Sequence, residues 1–210
     1  MREIIKKFNV YQYSELSDEA KAKVRSWYVD DPVRSEELTF LINQDLENLF
    51  PNSKLKVEWS LSYCQGDGVN VYGDLCFMDL VNMVQNHLCG DYYKDFENFF
   101  SPKEFKTAKF YSEYCGDVKL PVNRRNYAYC YVSQIDLESD FTYEMSHFRN
   151  INLDLLGKME TYVKRVIRKY CLDWEETGYK YLYEPDEEEV EESCNINEWE
   201  FLEDGTYYAA

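Results

Sequence analysis

The clearest pattern in the chain runs from residue 54 to residue 63. Leu55, Val57, Trp59, Leu61 and Tyr63 alternate with Lys54, Lys56, Glu58, Ser60 and Ser62, so one face is apolar and the other polar. A period of two predicts a half-buried β-strand. Cys64-Gln65-Gly66-Asp67-Gly68 reads as a turn, and Val69, Val71, Gly73, Leu75 and Phe77 resume the alternation. Residues 54–77 therefore predict a β-hairpin whose turn uses glycine for positive φ. Upstream the period becomes helical. Ser17 before Asp18 and Glu19 is a helix start, and Ala20, Val24, Trp27 and Tyr28 form one apolar face to about residue 30. Asp31-Pro32 restarts a helix with Asp at the cap and Pro at the first position. Leu38, Leu41, Ile42, Leu46, Leu49 and Phe50 carry its stripe to Pro51-Asn52.

The remaining segments are weaker. Residues 3–12 read as a first strand, and a helix is expected from about Asp79 to Leu88, ended by Gly90. Residues 91–104 show no clear period and are broken at Ser101-Pro102. Residues 105–114 and 124–137 read as two strands around the Cys115-Gly116-Asp117 turn, giving a second hairpin. The longest helix follows, with Ile151, Leu155, Met159, Val163, Val166, Ile167, Tyr170 and Trp174 on one stripe and Glu160 four residues before Lys164. Pro185 ends it or opens a short acidic helix over 186–192. Trp199 and Phe201 mark a last short strand closed by Glu203-Asp204-Gly205. The order β-α-α-β-β-α-β-β-α-α-β predicts an α+β fold: an antiparallel sheet built from two hairpins plus N- and C-terminal strands, packed against several helices. No Gly/Ser/Pro linker interrupts residues 3–183, so a single domain over 1–210 is expected.

Composition narrows the class. Aromatic residues make up 17% of the chain, which argues for a packed core over disorder. No apolar run approaches the roughly 18 residues of a membrane span. Met1 to Lys7 carries charges where a signal peptide would be apolar, so an intracellular protein is expected. Seven cysteines at 64, 76, 89, 115, 130, 171 and 194 form no close pair. Reduced core cysteines are expected, with neither a disulfide framework nor a structural zinc site.

Charge changes the picture most. The chain has 40 Asp and Glu against 23 Lys and Arg, a net charge of -17. From Asp173 onward there are 14 acids and one base, Lys180. Such a field repels nucleic acid and membranes and attracts basic surfaces, including the nucleic-acid channels of other proteins. The candidate partner-binding residues are Asp173, Glu175, Glu176, Asp186, Glu187, Glu188, Glu189, Glu191, Glu192, Glu198 and Glu200. Val190, Ile196, Trp199 and Phe201 interleave them with core-type residues, so these acids are expected on folded structure within an acidic region spanning 173–204. The plain alternative is a helix N-terminus favoured by its dipole and a solubilising surface.

Conventional catalytic machinery is missing. There is no GxSxG, HExxH, kinase-type or EF-hand pattern. His87 suits the C-terminus of a helix, and nothing in the spacing supports a Cys64–His147 pair. Gly66-Asp67-Gly68 lacks the Lys-Ser/Thr of a phosphate loop and opens a strand, so it reads as a turn that leaves Asp67 as a candidate contact residue. Lys164, Arg165, Arg168 and Lys169 read as a solvated helix face. No cofactor and no metal are implied.

Three stretches together resemble a family of small phage and prophage proteins, often labelled as similar to part of an antitoxin: Tyr11-Gln12-Tyr13-Ser14-Glu15-Leu16-Ser17-Asp18-Glu19-Ala20-Lys21, Ser62-Tyr63-Cys64-Gln65-Gly66-Asp67-Gly68, and Glu200-Phe201-Leu202-Glu203-Asp204-Gly205. The resemblance implies a mobile-element origin and a bacterial cytoplasm, and brings no catalytic residues. By analogy, small acidic phage proteins resemble inhibitors of host defence nucleases, including anti-CRISPR proteins. The leading expectation is a non-enzymatic inhibitor that mimics DNA and occupies the basic channel of a host nuclease or its ribonucleoprotein complex, without binding nucleic acid or membrane itself. Two other readings stand beside it: an antitoxin-like protein that neutralises a toxin, and a carboxylate- or metal-dependent enzyme using Asp67 and other carboxylates. Assembly of several copies is compatible with all three.

Overall fold

The computed structural model describes residue 7 and residues 9–64, 66–76, 78–79, 99–114, 117–120 and 152–209. The fold is α+β. Helices α1 (Asp18–Val29) and α2 (Pro32–Leu49) precede strands β1 (Lys54–Ser60) and β2 (Gly68–Cys76). Helix α3 (Pro102–Tyr114), strand β3 (Asp117–Leu120), helix α4 (Leu153–Tyr183), helix α5 (Glu187–Ile196) and strands β4 (Glu200–Phe201) and β5 (Tyr207–Tyr208) follow. Contacts group the chain into two compact units: Met1–Leu38 with Gly178–Ala210, and Thr39–Thr177.

The first unit is built around one apolar cluster. Ala20, Val24 and Tyr28 of α1 meet Val190 and Cys194 of α5, with Tyr13, Leu16 and Phe201 completing it. Ser17 caps α1, its Oγ accepting from the Ala20 N–H at 3.3 Å. Phe201 of β4 pairs with Tyr207 of β5 on one side. On its other side it exchanges both backbone hydrogen bonds with Tyr11, at 2.8 and 2.9 Å. Gly205 turns between these strands with φ +78° against α1, where a Cβ would lie 2.3 Å from the Ala20 carbonyl oxygen. The strand expected over 3–12 is reduced to the single bridge at Tyr11 among the described residues of that segment. A 3-10 turn over Tyr13–Glu15 ends the extension, closed by the Glu15 carboxylate, which accepts from the Gln12 N–H at 2.8 Å.

The second unit holds the antiparallel sheet, ordered β1-β2-β3. Trp59 faces Val69, Val57 faces Val71 and Leu55 faces Gly73, so the predicted hairpin and its apolar face are present. Gly66 and Gly68 have φ of 108° and 148°. Gly73 is also required: its φ is +117° and a Cβ would sit 2.3 Å from the Lys54 carbonyl oxygen. Ile42 and Leu46 of α2 and Phe50 just after it are buried, as are Met159, Val163, Val166, Ile167 and Tyr170 of α4. Tyr170 donates its hydroxyl to the Ile42 carbonyl at 2.9 Å and meets Phe50 edge-on. Asp79, 1% exposed, ties the end of α2 to the start of the sheet. It accepts from the Asn52 N–H at 3.0 Å, the Asn52 side chain at 2.6 Å and the Ser53 hydroxyl at 2.6 Å.

Residues 105–114 are helical, contrary to the strand expected there. Ser101 and Glu104 form a capping box: the Ser101 N–H donates to Glu104 at 2.7 Å, and the Glu104 N–H donates to the Ser101 hydroxyl at 3.4 Å. Pro102 is thus the first helical residue, not a break. Asp117–Leu120 form a four-residue strand, β3, while residues 115 and 116 of the expected turn lie outside the described residues. The expected strand 124–137, with its second hairpin, and most of the helix 79–88 lie outside the described residues.

Two outcomes follow. Asp79→Ala removes the shared acceptor of three part-buried donors and should cost about 2–3 kcal/mol in urea unfolding. Glu104 is held down to about 2, first by its hydrogen bond from Lys158 and then by Ser101. Its native value lies below the unfolded one, so its stabilising contribution is present above about pH 4.5 and is lost as pH falls toward 2. Glu104→Gln should flatten that part of the acid-unfolding curve.

Candidate acidic binding face

Helix α5 places most of the candidate carboxylates. Its N-cap is Asp186, whose Oδ1 accepts from the Glu189 N–H at 2.6 Å, and Glu187, Glu188 and Glu189 fill the first turn. Acids there suit the positive end of the helix dipole. Val190 and Cys194 are buried, four residues apart, and burial pushes the Cys194 thiol up to about 11. With about 100° per residue, burying 190 and 194 turns Glu188 and Glu192 to the opposite, solvent side. Both are exposed.

The carboxylates of this unit divide by their partners. Glu189 turns inward, to the guanidinium of Arg34 at 2.6 Å. Arg34 is 2% exposed and lies over the rings of Tyr28 and Tyr181, with centroids at 4.5 and 4.7 Å. It also donates to the Tyr181 carbonyl. Tyr28 donates its hydroxyl to Glu189 at 3.1 Å and meets the Ser193 hydroxyl at 3.0 Å. Burial is the main cause that raises the Tyr28 phenol, and the Glu189 charge adds to it. Glu187 pairs with Lys21 at 3.0 Å, and this hydrogen bond raises the lysine. Lys23 pairs with Asp204 at 2.7 Å, clamping the β4–β5 turn to α1. Glu188, Glu192, Glu198 and Glu200 are exposed and form no ion pair among the described residues, while Glu191 is half-buried and adds to the field on Lys21.

Glu198 stands out in its backbone. It follows the α5 C-cap, Asn197, with φ 53°. That left-handed position is ordinarily taken by glycine or asparagine. Here it presents an exposed carboxylate beside Trp199, which packs on Trp27 with ring centroids 4.9 Å apart.

The second unit contains the other candidates. Asp173 is paired with Lys169 at 2.7 Å, and Lys164 with Glu160 as the spacing predicts. Glu175 is half-buried, with Oε2 lacking a hydrogen-bond partner; burial, then the charge of Asp67, raises its carboxyl. Glu176 is exposed. Asp67 is turned into its own loop. It accepts from the N–H groups of Ser62 and Cys64 at 2.6 and 2.9 Å, and from the hydroxyls of Ser60 and Ser62 at 3.1 and 3.2 Å. These bonds fix the hairpin turn, and Asp67 itself is half-buried. Among the described residues no group of three or more His, Cys, Asp or Glu is placed to hold a metal ion, and no helix is long and apolar enough to cross a membrane. His87 and His147 lie outside the described residues.

Arg34 was missed by sequence reasoning. The available signal was that it is the only base between Asp31 and Ser53, in the first turn of a helix, where the dipole disfavours a cation.

No protein-family model, curated protein or solved structure matches the chain.

Arg34→Met leaves Glu189 partly buried without its cation and should cost about 3 kcal/mol or more, read by denaturant unfolding. Adding Glu189→Gln should recover part of that loss; a double variant as unstable as the sum of the two singles would show that the pair acts separately. Glu175→Gln should raise Tm at pH 7 and have little effect below about pH 4. The reason is sign: a carboxyl raised on folding opposes the fold once ionised, and that penalty fades as pH falls.

Proposed function

We propose that the chain is a non-enzymatic binding protein whose acidic α5–β4 surface occupies a basic, nucleic-acid-type channel of a protein partner. The reading extends to a phage-type inhibitor of a host defence nuclease. One observation carries it: Glu188, Glu192, Glu198 and Glu200 are anchored to a packed core yet form no ion pair among the described residues. Glu188 and Glu192 repel each other at i,i+4, which costs a few tenths of a kcal/mol in a helix. Their separation along the axis is about 6 Å. A row of fixed carboxylates at such intervals presents what a Lys- and Arg-lined groove accepts from a phosphate backbone. Association with such a groove is fast and weakened by salt.

Glu198 adds a second support. A left-handed glutamate costs about 1 kcal/mol relative to a glycine there. Keeping it favours a use for the carboxylate over stability.

The test is inhibition of a panel of purified RNA-guided nucleases by the full chain. Inhibition should saturate near one molecule per nuclease complex, whereas an enzyme would act at sub-stoichiometric amounts. Replacing Glu188, Glu191, Glu192, Glu198 and Glu200 by Gln should weaken inhibition by about 10-fold to 1,000-fold and lower its salt dependence. An unchanged inhibition constant in that variant would falsify the assignment. Glu198→Gly should raise stability by about 0.5–1 kcal/mol while weakening inhibition.

A further inference from the structure

A cleft of about 350 Å³ opens in the first unit, between the second half of α1 and the end of α4. Arg25, Ser26 and Val29 line one side, and Tyr183, Glu184 and Pro185 the other. Its volume lies in the range of small-molecule sites. The walls combine an apolar surface with three polar groups. Val29 and Pro185 are half-buried, and Tyr183 is 37% exposed.

The polar groups are not used up by the fold. Arg25 donates one N–H to the hydroxyl of Tyr13 at 3.3 Å, and Tyr13 is fully buried. The guanidinium is therefore tethered, with its remaining donors uncommitted. Arg25 and Glu184 line the same cleft, yet neither forms an ion pair with the other or with any other described residue. The Ser26 hydroxyl makes no hydrogen bond among the described residues. A cation, an anion and a hydroxyl thus share one cleft with no partner that neutralises them.

The surrounding charge selects what fits. A simple anion is repelled by the acidic field of this chain, although Arg25 would accept it. A simple cation is attracted to Glu184 but meets Arg25. A molecule neutral overall, with a carboxylate at one end and an ammonium nearby, satisfies both. We propose that this cleft binds a free α-amino acid with an aromatic or branched apolar side chain. The carboxylate lies on Arg25 and the Ser26 hydroxyl, the ammonium on Glu184, and the side chain against Val29, Tyr183 and Pro185. This site uses none of the residues assigned to the acidic face, and it stands or falls independently of that reading.

The test uses the intact chain and three probes: L-phenylalanine, 3-phenylpropanoate, which lacks the ammonium, and 2-phenylethylamine, which lacks the carboxylate. L-phenylalanine at roughly 10 mM should raise Tm by about 2 °C. Calorimetric titration should show each half-molecule binding at least about fivefold more weakly. Arg25→Gln and Glu184→Gln should each remove the Tm rise. Arg25→Gln also takes a hydrogen bond from buried Tyr13, so Glu184→Gln, at an exposed position, decides the matter if the first variant fails to fold. No shift and no heat with L-phenylalanine overturns the proposal. So does equal binding of either half-molecule, or undiminished binding to Glu184→Gln.

Discussion

A buried cation sets which carboxylate of α5 turns inward. Arg34, 2% exposed, stacks between Tyr28 and Tyr181 and binds Glu189 of α5 at 2.6 Å. Taking a guanidinium out of water costs several kcal/mol, and attraction to one carboxylate repays that only with further hydrogen bonds and good geometry. Two aromatic faces and the Tyr181 carbonyl help to supply them. A helix of ten residues is marginal in isolation. Turning Glu189 inward onto Arg34 goes with burying Val190 and Cys194, and helical geometry then leaves Glu188 and Glu192 no direction but outward.

The same residue type meets different fates within a few positions. Asp186 caps a helix, Glu187 pairs with a surface lysine, Glu189 joins a buried network, and Glu188 faces water without an ion pair among the described residues. The count of 14 acids against one base from Asp173 onward is blind to these differences, because the neutralising cations Lys21, Lys23 and Arg34 come from far upstream in the chain. The field projected into solvent is therefore carried by fewer carboxylates than the composition suggests. Asp173, Glu187 and Glu189 are balanced internally, and Asp67 is hydrogen-bonded within its own turn.

The sequence was most legible where one pattern extended over many residues. The alternation at 54–63 predicted β1, the apolar stripe from Leu155 to Trp174 predicted most of α4, and Ser17 and Asp31-Pro32 marked two helix starts. It was least legible where a short segment supports either period. Phe105 to Tyr114 interleaves aromatic and polar residues, and only the Ser101–Glu104 capping box decides for helix. That box was present in the sequence, but Ser101-Pro102 read as a break. The acidic helix was legible as a charge run, and its presented subset was not.

By itself the sequence determined the α+β class, the central hairpin with its glycines and the concentration of acids near the C-terminus. These follow from local rules: side-chain period, caps, turn φ and charge count. Only the tertiary structure decided which acids face solvent alone, that Arg34 is the buried counterion and that Arg25 and Glu184 share a cleft without pairing. Each of those depends on contacts that α1 and the start of α2 make with the C-terminal segment, or on the lack of them. Partners so far apart in the chain leave no trace in a local pattern, because the energy that makes such pairs exists only once the chain has folded.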